Sequence, residues 1–383
     1  MSGQWRAEEG RLRSLAAAET GGLSDLGGAD ADAAFVRLLR RAENGEIRDI
    51  PTEPERRGEA ERKLVEVLVG RLRFVEDEKR YPDMLGRTVS KPLIVMGIAR
   101  SGTTLLQALL AADPEHRPLR YWEIGHPSPP PGLSPSAEAD IAAETDRLKA
   151  RYAGYPKALA AHPFFDEWGL MLAECEWIWG SRAFLVGMRA EAAHRYEFHR
   201  RFLRHLQYGA PERRWVLKGV THMFHLPYIA ATYPDAAMVW IHRDPVTTIT
   251  SLLSYTWDVP TRPRGPRAEH AKATLDLLHR GITGSLSSPL LKKVHHVLYA
   301  DLVADPVGVV AGIYEKAGLK WSPANEAAVR AWLEDPAHRS DRYGKYRYSL
   351  EGFGLAADDI ERRFERYVET FGIPRDPRPA GVA

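Results

Sequence analysis

Arg100, Ser101, Gly102, Thr103 and Thr104 follow one another without a break. One guanidinium, three hydroxyls and a glycine that leaves neighbouring backbone N–H groups uncovered form a dense set of anion donors. Before them lies an apolar stretch, residues 92–96, too short for a helix and without polar alternation, which predicts a strand buried on both faces. After them, residues 105–112 (LLQALLAA) predict a helix. Strand, glycine-bearing turn and helix N-terminus would aim N–H groups and the positive helix end at one point, an arrangement that binds phosphate. Gly97 and Gly102 match the first half of the nucleotide pattern G-x-x-x-x-G-K-[ST], but Thr103 stands at the lysine position. The positive side chain is Arg100 instead, so the loop is expected to hold a phosphate-like group without being an ATP or GTP loop.

Further candidates stand where later apolar runs end. Residues 214–218 (RWVLK) and 237–242 (AMVWIH) predict buried strands. Lys218 closes the first, with His222 in the turn beyond it, and Arg243 follows the second. Helices are expected over 223–233 and 246–257, and another strand over 294–299. Strands alternating with helices imply right-handed crossovers and a mostly parallel sheet, with ligands beyond the carboxyl ends of the strands. Arg100, Lys218, His222 and Arg243 all fall at such ends. The expected fold is α/β: a mostly parallel central sheet with a P-loop-like strand–turn–helix, helices on both faces, a large helical insertion and a helical N-terminal extension.

The boundaries follow from the same patterns. Residues 31–42 and 59–81 carry apolar residues at helical spacing, among them Phe35, Leu38, Leu39, Leu64, Leu68 and Leu72. They make residues 1–88 the N-terminal extension, with 1–30 as a loosely held lead-in. Residues 89–375 form the α/β domain, 113–210 its helical insertion, and 376–383 a disordered tail. The insertion is rich in aromatic side chains, more often core than pocket at helical spacing. Two basic loops, 259–265 and 338–348, stand apart from the expected strands and helices.

Composition narrows the classes. Lys and Arg number 53 against 51 Asp and Glu, so nothing favours a nucleic-acid partner. The single cysteine, Cys175, rules out an internal disulfide framework and a multi-cysteine zinc site, and suits a reducing, cytoplasmic setting. No apolar run approaches the roughly 18–20 residues of a membrane span, and a secretory leader is not evident at the N-terminus. Peripheral contact with a membrane surface is compatible with the ten tryptophans.

Three motifs, in order, resemble those of the sulfotransferases that use 3′-phosphoadenosine 5′-phosphosulfate, in their bacterial branch. Residues 97–105 (GIARSGTTL) look like the 5′-phosphosulfate loop. Arg243-Asp244-Pro245 with Ser251 eight positions after the arginine (251 − 243) looks like the 3′-phosphate site. Residues 215–218 (WVLK) with His222 look like the strand end that carries the catalytic lysine and histidine. The resemblance covers about residues 90–371 and includes Tyr299-Ala300-Asp301-Leu302 and residues 348–355 (YSLEGFGL). It departs at Arg100, where cytosolic members usually carry lysine; a guanidinium can neutralise charge but is a poor proton donor.

The resemblance implies a sulfonate donor as co-substrate, no metal, and a small-molecule or lipid acceptor bearing a hydroxyl or amine. Arg100, Ser101, Gly102, Thr103, Thr104, Arg243 and Ser251 would hold the donor, with Lys345 and Arg347 closing from the second basic loop. Arg100 and Lys218 would stabilise charge on the leaving oxygen, as positioned cations do in phosphoryl transfer. Histidine is the usual base near neutral pH; His222 is the first candidate, with His225 three residues on and His162 on the acceptor side. Two other classes could use the same loop. A nucleotide-dependent kinase would need lysine at position 103 and a magnesium-holding carboxylate, for which Asp244 is the obvious candidate. A non-catalytic nucleotide-binding module would leave Lys218, Arg243 and Ser251 unexplained.

Overall fold

The computed structural model describes residues 4–47, 50–153, 170, 172–180, 191–258, 265–339 and 348–377. Four helices come first: α1 (Gln4–Ala7), α2 (Glu9–Glu19), α3 (Ala29–Glu43) and α4 (Arg57–Arg80). Strand β1 (Leu93–Met96), α5 (Thr103–Ala111), β2 (His116–Pro118), α6 (Tyr121–Gly125), α7 (Ala137–Tyr152) and α8 (Ala192–Leu206) follow. The chain continues through β3 (Arg214–Lys218), α9 (Leu226–Thr232), β4 (Ala237–His242), α10 (Pro245–Asp258), α11 (Arg267–Leu286) and β5 (His295–Leu298). It closes with α12 (Tyr299–Ala304), α13 (Pro306–Lys316), α14 (Pro323–Glu334) and α15 (Ala357–Phe371).

The five strands form one parallel sheet in the order β2-β3-β1-β4-β5. All four side chains of β1 are buried, as a central parallel strand requires. Val95 pairs with Lys218, Met96 with Trp240, and His242 with Leu298. This register brings the loop after β1, the end of β3, Arg243 and Tyr299 to the same edge of the sheet. The edge strand β2 has no counterpart among the sequence expectations: it is three residues long, with one proline and two basic side chains. Pairing with β3 makes it a strand, where its own pattern would not.

The chain divides into two compact units. One comprises the sheet and its flanking helices, within residues 90–120, 145–175 and 213 onward. Its core places Leu106, Leu109 and Leu110 of α5 among Leu93, Val95, Val216, Val239 and Ile241 of the sheet, with Val310, Ile313 and Tyr314 of α13. The other unit lies within residues 4–89, 121–144 and 176–212. One buried cluster runs from Trp5 to Leu72 and includes Leu12 and Ala16, so α1 and α2 are packed helices rather than a loose lead-in. Trp5, Leu12 and Ala16 recur at seven and four residues (12 − 5 and 16 − 12), one helical face, although the stretch between them is strongly charged. Phe74 of α4 lies 5.7 Å from Phe198 and 5.9 Å from Phe202 of α8, ring centre to ring centre, so these aromatics are core. Arg201 grips the buried Glu78 through two nitrogens in the same unit.

Candidate functional site

The loop after β1 is built for an anion. Gly97 cannot be replaced by a larger residue without displacing backbone: an added Cβ would lie 2.6 Å from the carbonyl oxygen of Ile241. Gly102 precedes α5 in the left-handed region, with φ 97°, which glycine alone adopts without strain. Arg100 is itself left-handed, φ 75°, an unusual state for a residue with a side chain. The turn ends as α5 begins at Thr103, so the first N–H groups of that helix have no partner within it. Ser101 is almost wholly buried, and its Oγ has no hydrogen-bond partner among the described residues. An orphaned buried hydroxyl beside a helix N-terminus fits a phosphate-like group.

The later motifs converge on this loop. Arg100 Nε donates to Ser251 Oγ at 3.2 Å, across 151 positions. Arg243 Nη1 donates to the Arg100 carbonyl oxygen at 3.3 Å, and its guanidinium lies over the Tyr299 ring, 4.1 Å from the centre. The Tyr299 ring also closes on Gly102, where a Cβ would meet it at 2.6 Å. Lys218 is a buried cation rather than a solvated strand end, with 2% exposure. Its Nζ donates to Thr104 Oγ1 at 2.9 Å and to the Glu174 carboxylate at 2.8 Å. Arg100, Ser101, Gly102, Thr103, Thr104, Lys218, Arg243 and Ser251 are thus gathered at one edge of the sheet. Lys345, Arg347 and His162 lie outside the described residues, as does most of the first basic loop.

Two residues invisible to motif reasoning join them. Glu174 sits in the sequence Ala173-Glu174-Cys175, with no pattern to single it out, yet it is the carboxylate that meets Lys218. Asp376, assigned above to the tail, accepts from Arg243 Nε at 2.6 Å. The histidines are placed differently from the cations. His222 occupies a short turn of 3-10 helix beyond β3 and is fully buried, its ring against Gly219, where a Cβ would lie 2.5 Å from it. His225 Nδ1 is within 2.9 Å of the Thr221 carbonyl oxygen.

The strand end under Arg243 is held rigidly. His242 is buried, with Nδ1 2.9 Å from Tyr367 Oη and Nε2 2.9 Å from His296 Nδ1. Burial, and then the neighbouring His296, hold its imidazole well below the ordinary histidine range. Asp244 caps α10: its carboxylate accepts from the N–H groups of Val246 and Thr247, each at 3.2 Å, and from Thr247 Oγ1 at 2.8 Å. A carboxylate so occupied is poorly placed to hold a magnesium ion.

Comparison with known proteins bears on the family and the fold. A family model described as the sulfotransferase family matches residues 92–323. Among curated proteins, omega-hydroxy-beta-dihydromenaquinone-9 sulfotransferase Stf3 of Mycobacterium bovis is 22% identical over 324 residues, covering 76% of this chain and 77% of its own. The crystal structure of sulfotransferase STF9 from Mycobacterium avium superposes with a TM-score of 0.76 at 24% identity, over 96% of this chain and 98% of that one. Sulfotransferase STF1 from Mycobacterium tuberculosis gives 0.70 at 27% identity, over 93% and 97%.

Proposed function

We propose, for a chain that belongs to the sulfotransferase family and is therefore a transferase of sulfonate groups, a donor, an acceptor class and a role for each side chain at the strand ends. The donor is 3′-phosphoadenosine 5′-phosphosulfate. The observation that carries this is the meeting of two separate anion grips, the loop at Ser101–Thr104 and the pair Arg243–Ser251, joined through Arg100. A donor with charge at both its 5′ and 3′ positions needs two such grips; ATP needs only the first.

The 5′-phosphosulfate lies against the loop N–H groups and the hydroxyls of Ser101, Thr103 and Thr104. Arg243 and Ser251 hold the 3′-phosphate. In the transfer, an acceptor oxygen forms a bond to sulfur while the bond from sulfur to the bridging oxygen breaks, and the electron pair stays on the leaving phosphate. Lys218 and Arg100 are the cations at hand to stabilise that charge, and Lys218 is kept dry and aimed by Thr104 and Glu174. The acceptor proton needs a base. Glu174 is a third exposed and already hydrogen-bonded to Lys218, whereas His222 has no solvent-facing surface. That contrast favours Glu174 over the histidine expected from the motifs.

For the acceptor, the name of the curated relative gives it a hydroxyl-bearing dihydromenaquinone derivative. A hydroxyl on a largely apolar small molecule or lipid is the matching class here. The test is transfer of label from ³⁵S-donor into a lipid extract. The wild-type protein is expected to yield a labelled product without added magnesium, and Lys218→Ala to yield almost none. Failure to label any acceptor, together with transfer of the ATP γ-phosphate in its place, would overturn the proposal.

A further inference from the structure

Three groups hold the Arg243 guanidinium. The Asp376 carboxylate takes Nε at 2.6 Å, a short charged hydrogen bond. The Arg100 carbonyl takes Nη1, and the Tyr299 ring takes the flat face. These contacts leave Nη2 as the donor they do not engage. Both members of the ion pair are largely withdrawn from solvent, with side-chain exposures of 23% and 20%.

The backbone that delivers Asp376 is well fixed. α15 ends at Gly372, left-handed with φ 59°, and Ile373 N–H closes back on the Val368 carbonyl at 3.0 Å. Ile373 is buried, Arg375 pairs with Glu361 at 3.0 Å, and Pro374 and Pro377 bracket the segment. Few conformations remain to the two residues between the prolines.

We infer that Asp376 is a positioning residue for the donor's 3′-phosphate, acting through Arg243. This rests on the assignment of Arg243 to that phosphate. An arginine side chain has many rotamers to lose, and a ligand that must order it loses affinity accordingly. By taking the Nε edge, Asp376 sets the guanidinium before the donor arrives, and it does so away from the terminal nitrogen left for the phosphate. A carboxylate that competed with the phosphate would be expected on the terminal nitrogens instead. Positioning therefore acts on recognition of the 3′-phosphate and leaves the 5′ grip unaffected.

Calorimetric titration with 3′-phosphoadenosine 5′-phosphate and with 5′-AMP separates the possibilities. Asp376→Asn is expected to lose about tenfold in affinity for the 3′-phosphorylated ligand, with 5′-AMP binding and the thermal midpoint unchanged. Asp376→Glu should recover part of the loss. Wild-type affinity in Asp376→Asn, or tighter binding as the acid is removed, overturns the inference. Arg243→Ala tells the two claims apart. If it abolishes the preference for the 3′-phosphorylated ligand while Asp376→Asn is silent, only the positioning role falls. If Arg243→Ala also binds like wild type, the donor assignment falls and the inference with it.

Discussion

Lys218 and Glu174 show how far a residue's chemistry depends on what surrounds it. Lys218 is withdrawn from water and held by one hydroxyl and one carboxylate, 2.9 and 2.8 Å away. A cation fixed in a dry site opposes developing negative charge without first reorganising solvent, and losing one such contact costs about 10²–10³ in rate. Lys218→Ala should therefore lower kcat by about that factor while affinity for 3′-phosphoadenosine 5′-phosphate stays near wild type; steady-state kinetics and a binding titration check the split. Glu174→Gln keeps the shape and a hydrogen-bonding oxygen for Lys218 but removes the proton acceptor. It should cost about 10²–10⁴ in kcat, whereas His222→Gln should act mainly on stability. A Glu174→Gln enzyme with full turnover and an unchanged pH–rate profile would return the base role to a histidine.

At the scale of elements, the loop 97–102 works because three strand ends close around it. Gly102 is one of its two tight points: its φ of 97° and the Tyr299 ring leave no room for a Cβ. Gly102→Ala adds about 1–2 kcal/mol of left-handed strain and about 1–3 kcal/mol of overpacking. Because Tyr299 also underlies Arg243, displacing its ring should weaken donor binding as well as lower the thermal midpoint; melting curves and ligand titration together test this. The loop, β1, β3, β4 and the placing of Arg100, Lys218, His222 and Arg243 at strand ends were legible in the sequence, since each polar residue follows an apolar run, whereas Ser251 was singled out only by the family resemblance. Glu174 and Asp376 were not legible. Each meets its cation from far along the chain, 44 and 133 positions away, and no local pattern encodes such a meeting. The full burial of His222 was equally hidden, because it depends on packing and not on its neighbours in sequence.

At the scale of the molecule, the sheet-bearing unit carries the site, while the other unit carries buried charge of its own. Asp77 on α4 lies beside the buried His205, whose ring is 3.5 Å from the carboxylate and reaches the Pro127 carbonyl at 2.8 Å. Burial pushes the Asp77 carboxyl from 3.8 up to about 6, and burial likewise holds His205 neutral, at about 3. The folded state thus holds the Asp77 proton to higher pH than the unfolded chain does. Asp77's own contribution to stability falls as pH rises from about 4 to about 6, with the full penalty, on the order of 2–3 kcal/mol, above that window. The neutral His205 contributes in the opposite sense as pH rises toward about 6.5. Asp77→Asn should raise the thermal midpoint near neutral pH, with the gain fading toward about pH 4. The roles assigned to the two grips meet in one measurement: titration of the wild-type protein, with chelator and no magnesium, by 3′-phosphoadenosine 5′-phosphate and by 5′-AMP. Two grips predict that the 3′-phosphorylated ligand binds tighter by about a hundredfold, roughly 2.7 kcal/mol. Equal affinities, or tight binding of ATP only when magnesium is added, would contradict it.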